Sequence, residues 1–356
     1  MAGRGADSGS QSLMHGNVRL FAKSSGLINL QFQSRLIFTT TDRGLATRQT
    51  FMNTVIFHFV GGDAFFTGFI AVAIGSILIW ATQGKRHRIG ATFILFGWLF
   101  VVASATALSE FQYVCLALIS LRVIIGIPRE SLPENEVTTE TTQDSNPAFS
   151  PTRWCPTLCL VSVGTMCFEF VSYCPSQLPI PSELPIVVIG DSLSAGINDG
   201  VDVPWPACLD KFSSAKVFNH AKAGATCRSA MKQLDDLPQQ CVVIVEIGGN
   251  DLLGDRSADE FRTDLDELLK AIHLSERELF MFELPLPPLC NDYGSAQREL
   301  AARHNVNLIP RRLLASVLFS EDATLDSVHL SNDGHRRLAE DVARFLGLAD
   351  LQRVGR

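Results

Sequence analysis

Leu184–Gly196 reads LPIVVIGDSLSAG. Apolar, mostly branched residues run to Gly190 and then give way to small and polar ones, as when a strand buried on both faces enters a tight turn. Four further short runs lie downstream: AKVFNH (215–220), CVVIVEIGG (241–249), ELFMFELP (278–285) and VNLIP (306–310). Helical patterns separate them. Ser257–Leu274 opens with an N-capping serine and an acidic first turn, and puts Phe261, Leu265, Leu268, Leu269 and Ile272 on one stripe. Asn332–Leu346 does the same with Leu338, Val342 and Phe345. This alternation predicts an α/β domain with a parallel sheet covered on both faces.

In an open α/β sheet the ligand crevice lies at the carboxyl ends of the strands. After the first run, Gly190–Gly196 would hold Ser192 on a strand-to-helix turn among small neighbours, where a hydroxyl can act as a nucleophile. Gly248-Gly249-Asn250-Asp251 follows the third run; its glycines allow close backbone approach, and the Asn250 amide becomes a candidate oxyanion donor. The turn Ala223-Gly224-Ala225 could add the Gly224 N–H. Far downstream, Asp326-Ser327-Val328-His329 offers a carboxylate three residues before an imidazole. His329 would serve as general base, with Asp326 fixing its tautomer.

The three blocks GDSLSAG (190–196), GGND (248–251) and DSVHLSNDGH (326–335) resemble, in this order, the SGNH branch of the GDSL esterase and lipase family. The resemblance covers roughly residues 184–348 and is nearest to the bacterial esterase, thioesterase and lysophospholipase type. It implies a flavodoxin-like three-layer fold and a Ser192 acyl-enzyme. It also implies a Ser192–His329–Asp326 triad, an oxyanion hole from Ser192, Gly224 and Asn250, and no metal or organic cofactor. Ser327 stands where the family commonly has glycine, which leaves both triad positions intact.

Other residues compete for these roles. Glu246 and Glu283 lie near strand ends and could suggest paired acid and base, but structural hydrogen bonding explains them better. His220 and His335 lack the aspartate three residues before them. The nine cysteines show no paired C-x-x-C spacing, so no metal site is expected. An oxidising compartment would allow one or two disulfides among Cys208, Cys227, Cys241 and Cys290.

The amino-terminal half has a different character. The mean hydropathy of the chain is +0.18 with 19% charged residues, which points to a lipid-embedded part. Ala64–Thr82 and Ile89–Leu108 are long uncharged runs; Phe111–Ile127 and Trp154–Cys174 are weaker ones carrying Arg122 and Glu169. Four spans are expected, with a buried or interfacial helix as the alternative for the third and fourth, and with Arg122 and Glu169 snorkelling to opposite interfaces. Ser109-Glu110 reads as a hairpin, and Glu130–Ser150 as an acidic loop without apolar periodicity. Lys85, Arg86 and Arg88 between the first two runs face the cytoplasm by the positive-inside rule, which puts everything after Cys174 outside. Six basic residues in 1–51 conflict with this orientation, and a translation start at Met52 would remove the conflict. The expected division is an extension (1–51), a membrane region (52–175) with its acidic loop at 128–153, and a hydrolase domain (176–356).

The formal net charge is −7, and from Pro181 onward 27 acidic residues face 18 Lys and Arg, so nucleic acid is not an expected partner. The sequence thus predicts a membrane-anchored serine ester hydrolase for acyl or acetyl esters of lipids (lysophospholipid among them) or envelope glycans. A transacylase using a sugar hydroxyl as acceptor, and a catalytically silent binding module, are the alternatives.

Overall fold

The computed structural model describes residues 42–125, 151–174, 177–196, 203–214, 216–254, 256–273, 276–325 and 329–348, with side chains from Phe51 onward. The described residues from Ala46 onward belong to one compact unit. The helical segment comprises α1 (Asp42–Val60), α2 (Asp63–Ala81), α3 (His87–Ala103), α4 (Glu110–Ile125) and α5 (Cys155–Tyr173). Next come β1 (Ile186–Gly190), α6 (Ser192–Ala195), α7 (Trp205–Leu209), β2 (Val217–Asn219), α8 (Cys227–Ala230), β3 (Cys241–Glu246), α9 (Gly249–Leu253) and α10 (Ala258–Ile272). The chain continues through β4 (Arg277–Phe282), α11 (Asn291–Arg303), β5 (Asn307–Ile309), α12 (Arg311–Leu318) and α13 (Asn332–Phe345).

The sheet is parallel throughout, in the order β2-β1-β3-β4-β5. This is the flavodoxin-like order, whose switch point lies beside β1. Every residue of β1 and β3 is buried, because these strands are central and covered on both faces. Val187, Ile189, Val243 and Val245 face one apolar layer with Phe261, Leu265 and Leu268 of α10 and Leu300 of α11. Ile186, Val188, Val242 and Ile244 face the other, with Trp205 of α7, Leu314 of α12 and Leu338 of α13. The five expected strands and the two expected helices are all present. Ser257 and Glu260 close a reciprocal capping box on α10, and Ser331 caps α13 through the Gly334 N–H.

All nine cysteines are free, so no disulfide forms among the four named above. Cys208 lies in one apolar layer while Cys227 and Cys241 lie in the other, with the sheet between them.

By length and composition α2 and α5, 19 residues each, qualify to cross a bilayer. Among the described residues α3 and α4 run for 17 and 16 residues, against the roughly 20 that a 30 Å hydrocarbon core requires. The second apolar run ends as a helix at Ala103, not Leu108, and the connection is Ser104–Ser109, with Glu110 already in α4. α2 and α3 pack closely where glycines meet: a Cβ on Gly68 would lie 2.6 Å from the Gly97 carbonyl oxygen, and one on Gly75 would overlap that of Gly90. The acidic stretch Glu130–Ser150 lies outside the described residues.

The Ser104–Ser109 connection is held by the α/β part. Arg311 donates to the carbonyls of Ser104 (3.0 Å) and Ala105 (3.3 Å) and to Thr106 Oγ1 (2.8 Å). Glu169 of α5 does not snorkel; it is buried and accepts both Arg298 Nη groups at 2.7 Å. Arg298 Nε donates to Glu283 at 2.6 Å. Burial pushes the Glu283 carboxyl up, but Arg298 and Arg311 outweigh it and hold the group below its usual value. Burying such charges is costly, and this network offsets the cost by bonding each of them.

Candidate active site

The site begins where β1 ends. Gly190 is clamped on both sides by the buried Gln233 amide, whose Oε1 accepts the Gly190 N–H and whose Nε2 donates to its carbonyl, each at 2.9 Å. A Cβ at 190 would lie 2.7 Å from Ser194 Oγ and 2.9 Å from the Glu246 carbonyl, so the turn requires glycine. Asp191 Oδ1 accepts the Leu193 N–H at 3.0 Å and caps α6, which makes Ser192 the first helical residue at the carboxyl edge of the sheet. Ser192 is half-buried. Among the described residues its Oγ and its N–H have no hydrogen-bond partner.

Asn250 reaches this turn from α9. Its Nδ2 donates to Asp191 Oδ2 at 3.1 Å and to the Ala225 carbonyl at 3.0 Å. It therefore bridges the turn after β1 and the turn after β2. Gly248, which starts the approach to Asn250, has φ +112°, and a Cβ there would press on Phe261 and Leu284 at 2.9 and 3.0 Å. Gly224 has φ +74° and open space beside it, and among the described residues its N–H has no acceptor. Asp251 Oδ2 accepts the Cys227 N–H at 2.9 Å and fastens α8 to α9.

Beneath Ser192 lies a carboxyl pair. Burial pushes Asp191 up to about 6, against the pull of the Leu193 N–H, of a hydrogen bond from Glu246 and of the His329 charge. Glu246 is pushed well up by burial and by Asp191. Glu246 also accepts the Ser194 hydroxyl at 2.9 Å, and Ser194 in turn accepts Trp205 Nε1 at 3.0 Å.

His329 returns to this end of the sheet in a loop closed by a bridge between Thr324 and Leu330 and by the Leu325 N–H donating to the His329 carbonyl at 2.8 Å. It comes within electrostatic reach of Asp191, the neighbour of Ser192. Asp326 and Ser327 lie outside the described residues. The structure thus brings Ser192, Asn250, the Gly224 turn and His329 to one edge of the sheet, and offers no metal-binding cluster among the described residues.

Residues 188–337 match the GDSL-like Lipase/Acylhydrolase family. The C-terminal half of this chain is a GDSL/SGNH esterase–lipase domain. Thioesterase 1/protease 1/lysophospholipase L1 of Escherichia coli K12 is 28% identical over 174 residues, covering 45% of this chain and 82% of that protein. An arylesterase of Vibrio mimicus is 27% identical over 190 residues, covering 49% and 93%. The crystal structure of the psychrotrophic esterase EstA from Pseudoalteromonas sp. matches with 22% identity and a TM-score of 0.42, covering 46% of this chain and 97% of that one. The domain is that of a carboxylic ester hydrolase.

Two histidines of the GDSL domain are structural. His220 Nδ1 bonds the Gln233 carbonyl at 2.9 Å. His335 Nδ1 accepts the Trp205 N–H at 3.1 Å, and burial pushes its pKa down to about 4, so it stays a neutral acceptor. Sequence reading missed Gln233 and the link from Asp191 to Asn250. Asp191 stands inside the GDSLSAG block, so its position was a signal; Gln233 carried none.

Proposed function

We propose that the chain is a membrane-anchored serine ester hydrolase. Ser192 Oγ attacks the acyl carbonyl while His329 takes its proton and Asp326 stabilises the imidazolium. The N–H groups of Ser192 and Gly224 and the Asn250 amide meet the developing oxyanion. The ester C–O bond then breaks, the alcohol leaves with the proton held by His329, and an acyl-enzyme remains. Water attacks that ester with His329 as base, releasing the acid and restoring the Ser192 hydroxyl. The observation that supports this reading is Asn250 Nδ2 tied to both Asp191 and Ala225, which holds the amide between the turn that carries Ser192 and the turn that carries Gly224.

Anchoring is supported by the outward faces of the helices. Ile70, Ile74 and Ile77 of α2, Leu95 and Leu99 of α3, Leu118 and Leu121 of α4, and Leu160, Phe168 and Val171 of α5 are all exposed. A core helix of a water-soluble protein hides such residues, yet only 22% of the apolar window in α5 is buried. The basic loop with Lys85, Arg86 and Arg88 lies at the end of the bundle away from the α/β part, which favours an extracytoplasmic catalytic domain. Substrates of this reading are acyl or acetyl esters of lipids or envelope glycans. Hydrolysis of p-nitrophenyl acetate and octanoate by the full chain and by Ser192→Ala tests it. Activity should vanish in the variant, and activity that survives there would sink the proposal.

A further inference from the structure

The candidate site and the helical bundle meet the sheet at the same edge. Ser192 and Asn250 follow β1 and β3, while Glu283 and Arg311, which hold the bundle, follow β4 and β5. At about 4.8 Å per strand, β1 and β4 are about 10 Å apart. Ala105 of the α3–α4 connection is 1% exposed and shares an apolar cluster with Ile189 and Ile247, the residues before the Gly190 and Gly248 turns.

The docking end of the bundle is formed by the start of α2, the end of α3, the start of α4 and the end of α5. There Tyr173 of α5 and Phe57 of α1 meet Arg312 of α12. Arg312 lies over the rings of Tyr173 (4.9 Å) and Phe57 (5.5 Å), beside a cavity of about 350 Å³ lined by Tyr173, Arg312, Ser316 and Arg344. Aromatic and basic residues collect at headgroup depth. The Glu169–Arg298–Glu283 network thus holds the carboxyl edge of the sheet against one end of the helical bundle.

We propose that this docking turns the crevice toward the bilayer, so that the enzyme selects acyl esters of lipids resident in its own membrane. Glu169 is the positioning residue that enforces it. The inference rests on the reading of the helices as an anchor and of Ser192 as the nucleophile. Glu169 makes no contact with the Ser192 turn, and Arg298 keeps Glu283 as a partner when Glu169 is removed.

The test uses the full chain reconstituted in phosphatidylethanolamine–phosphatidylglycerol vesicles. A non-exchanging fluorogenic long-chain diacyl lipid ester is placed in the same vesicles or in separate protein-free ones, and p-nitrophenyl acetate is added in water. Same-vesicle hydrolysis should exceed separate-vesicle hydrolysis by at least about tenfold, through effective concentration. Glu169→Ala should lower the ratio of lipid-ester to p-nitrophenyl acetate rates by about tenfold at unchanged acetate activity, and Glu169→Gln, which keeps hydrogen-bonding capacity, should restore most of it. Equal rates from both kinds of vesicle, an unchanged ratio in Glu169→Ala, or equal loss of both activities would overturn the inference. Acetate cleaved with no lipid ester cleaved overturns it while leaving the esterase reading standing. No cleavage of either, with Ser192 unreactive to a fluorophosphonate, overturns both.

Discussion

Asn250 Nδ2 donates to Asp191 Oδ2 at 3.1 Å, so the candidate oxyanion donor is held by the residue that precedes the candidate nucleophile. The second hydrogen of the amide goes to the Ala225 carbonyl. A substrate oxyanion must therefore share one of these hydrogens or displace the Ala225 bond, and Asp191 keeps the amide from swinging away as it does so.

Asn250→Ala should lower kcat on p-nitrophenyl octanoate by about 10²–10³-fold with little change in KM, the usual consequence of losing an oxyanion donor. Asp191→Asn should lose less, because it weakens the positioning and leaves the donor. Steady-state kinetics on both variants check this ranking, and an Asp191→Asn enzyme slower than Asn250→Ala would contradict it.

The carboxyl of Asp191 also sets a pH dependence of stability. Its pKa is raised from 3.8 to about 6 by burial, so between these values the folded protein binds more protons than the unfolded chain. Stability from this group is therefore present below about pH 4 and is lost as pH rises through about 6. The amide of Asp191→Asn does not titrate. Its Tm relative to the native chain should rise between pH 4 and 6.5, as read by thermal melts across that range.

The sheet and both long amphipathic helices of the α/β part were legible in the sequence because burial on two faces leaves unbroken apolar strands, and a capped helix such as Ser257–Ile272 shows its stripe. The positions of Ser192 and Asn250 at the carboxyl edge were legible because each follows such a strand. The helical segment was legible as apolar, but its bounds were not: Ser104–Leu108 is apolar enough to extend a span, yet contacts with Arg311, more than two hundred residues away, end the helix at Ala103. Glu169 was misread for the same reason, since its partner Arg298 belongs to another part of the chain. The seven-residue spacing of Gly68 with Gly75 and of Gly90 with Gly97 was in plain view and marks the α2–α3 contact.

Two glycines of the site should respond differently to a methyl group. Gly248→Ala combines φ +112° with contacts of 2.9 and 3.0 Å to Phe261 and Leu284. It should cost about 2–4 kcal/mol, as overpacking adds to backbone strain. Gly224→Ala has φ +74° but nothing to collide with. It should cost about 1 kcal/mol, the left-handed penalty alone. Denaturant melts of the two variants should show this order.

Gly75→Leu should separate α2 from α3, since even a Cβ there overlaps the Gly90 carbonyl. The α/β part does not use this contact, so p-nitrophenyl acetate hydrolysis should persist while the melting temperature in detergent falls. Loss of acetate hydrolysis in a variant that still melts cooperatively would show the two parts to be more tightly coupled than the contacts imply.

The proposed hydrolase stands or falls with Ser192 as its nucleophile. Treating the full chain with a fluorophosphonate and locating the adduct by peptide mass spectrometry addresses it directly. One adduct is expected, on the peptide containing Ser192, formed at a rate that falls steeply in His329→Ala; an adduct on another residue, or none on a folded chain, would rule Ser192 out.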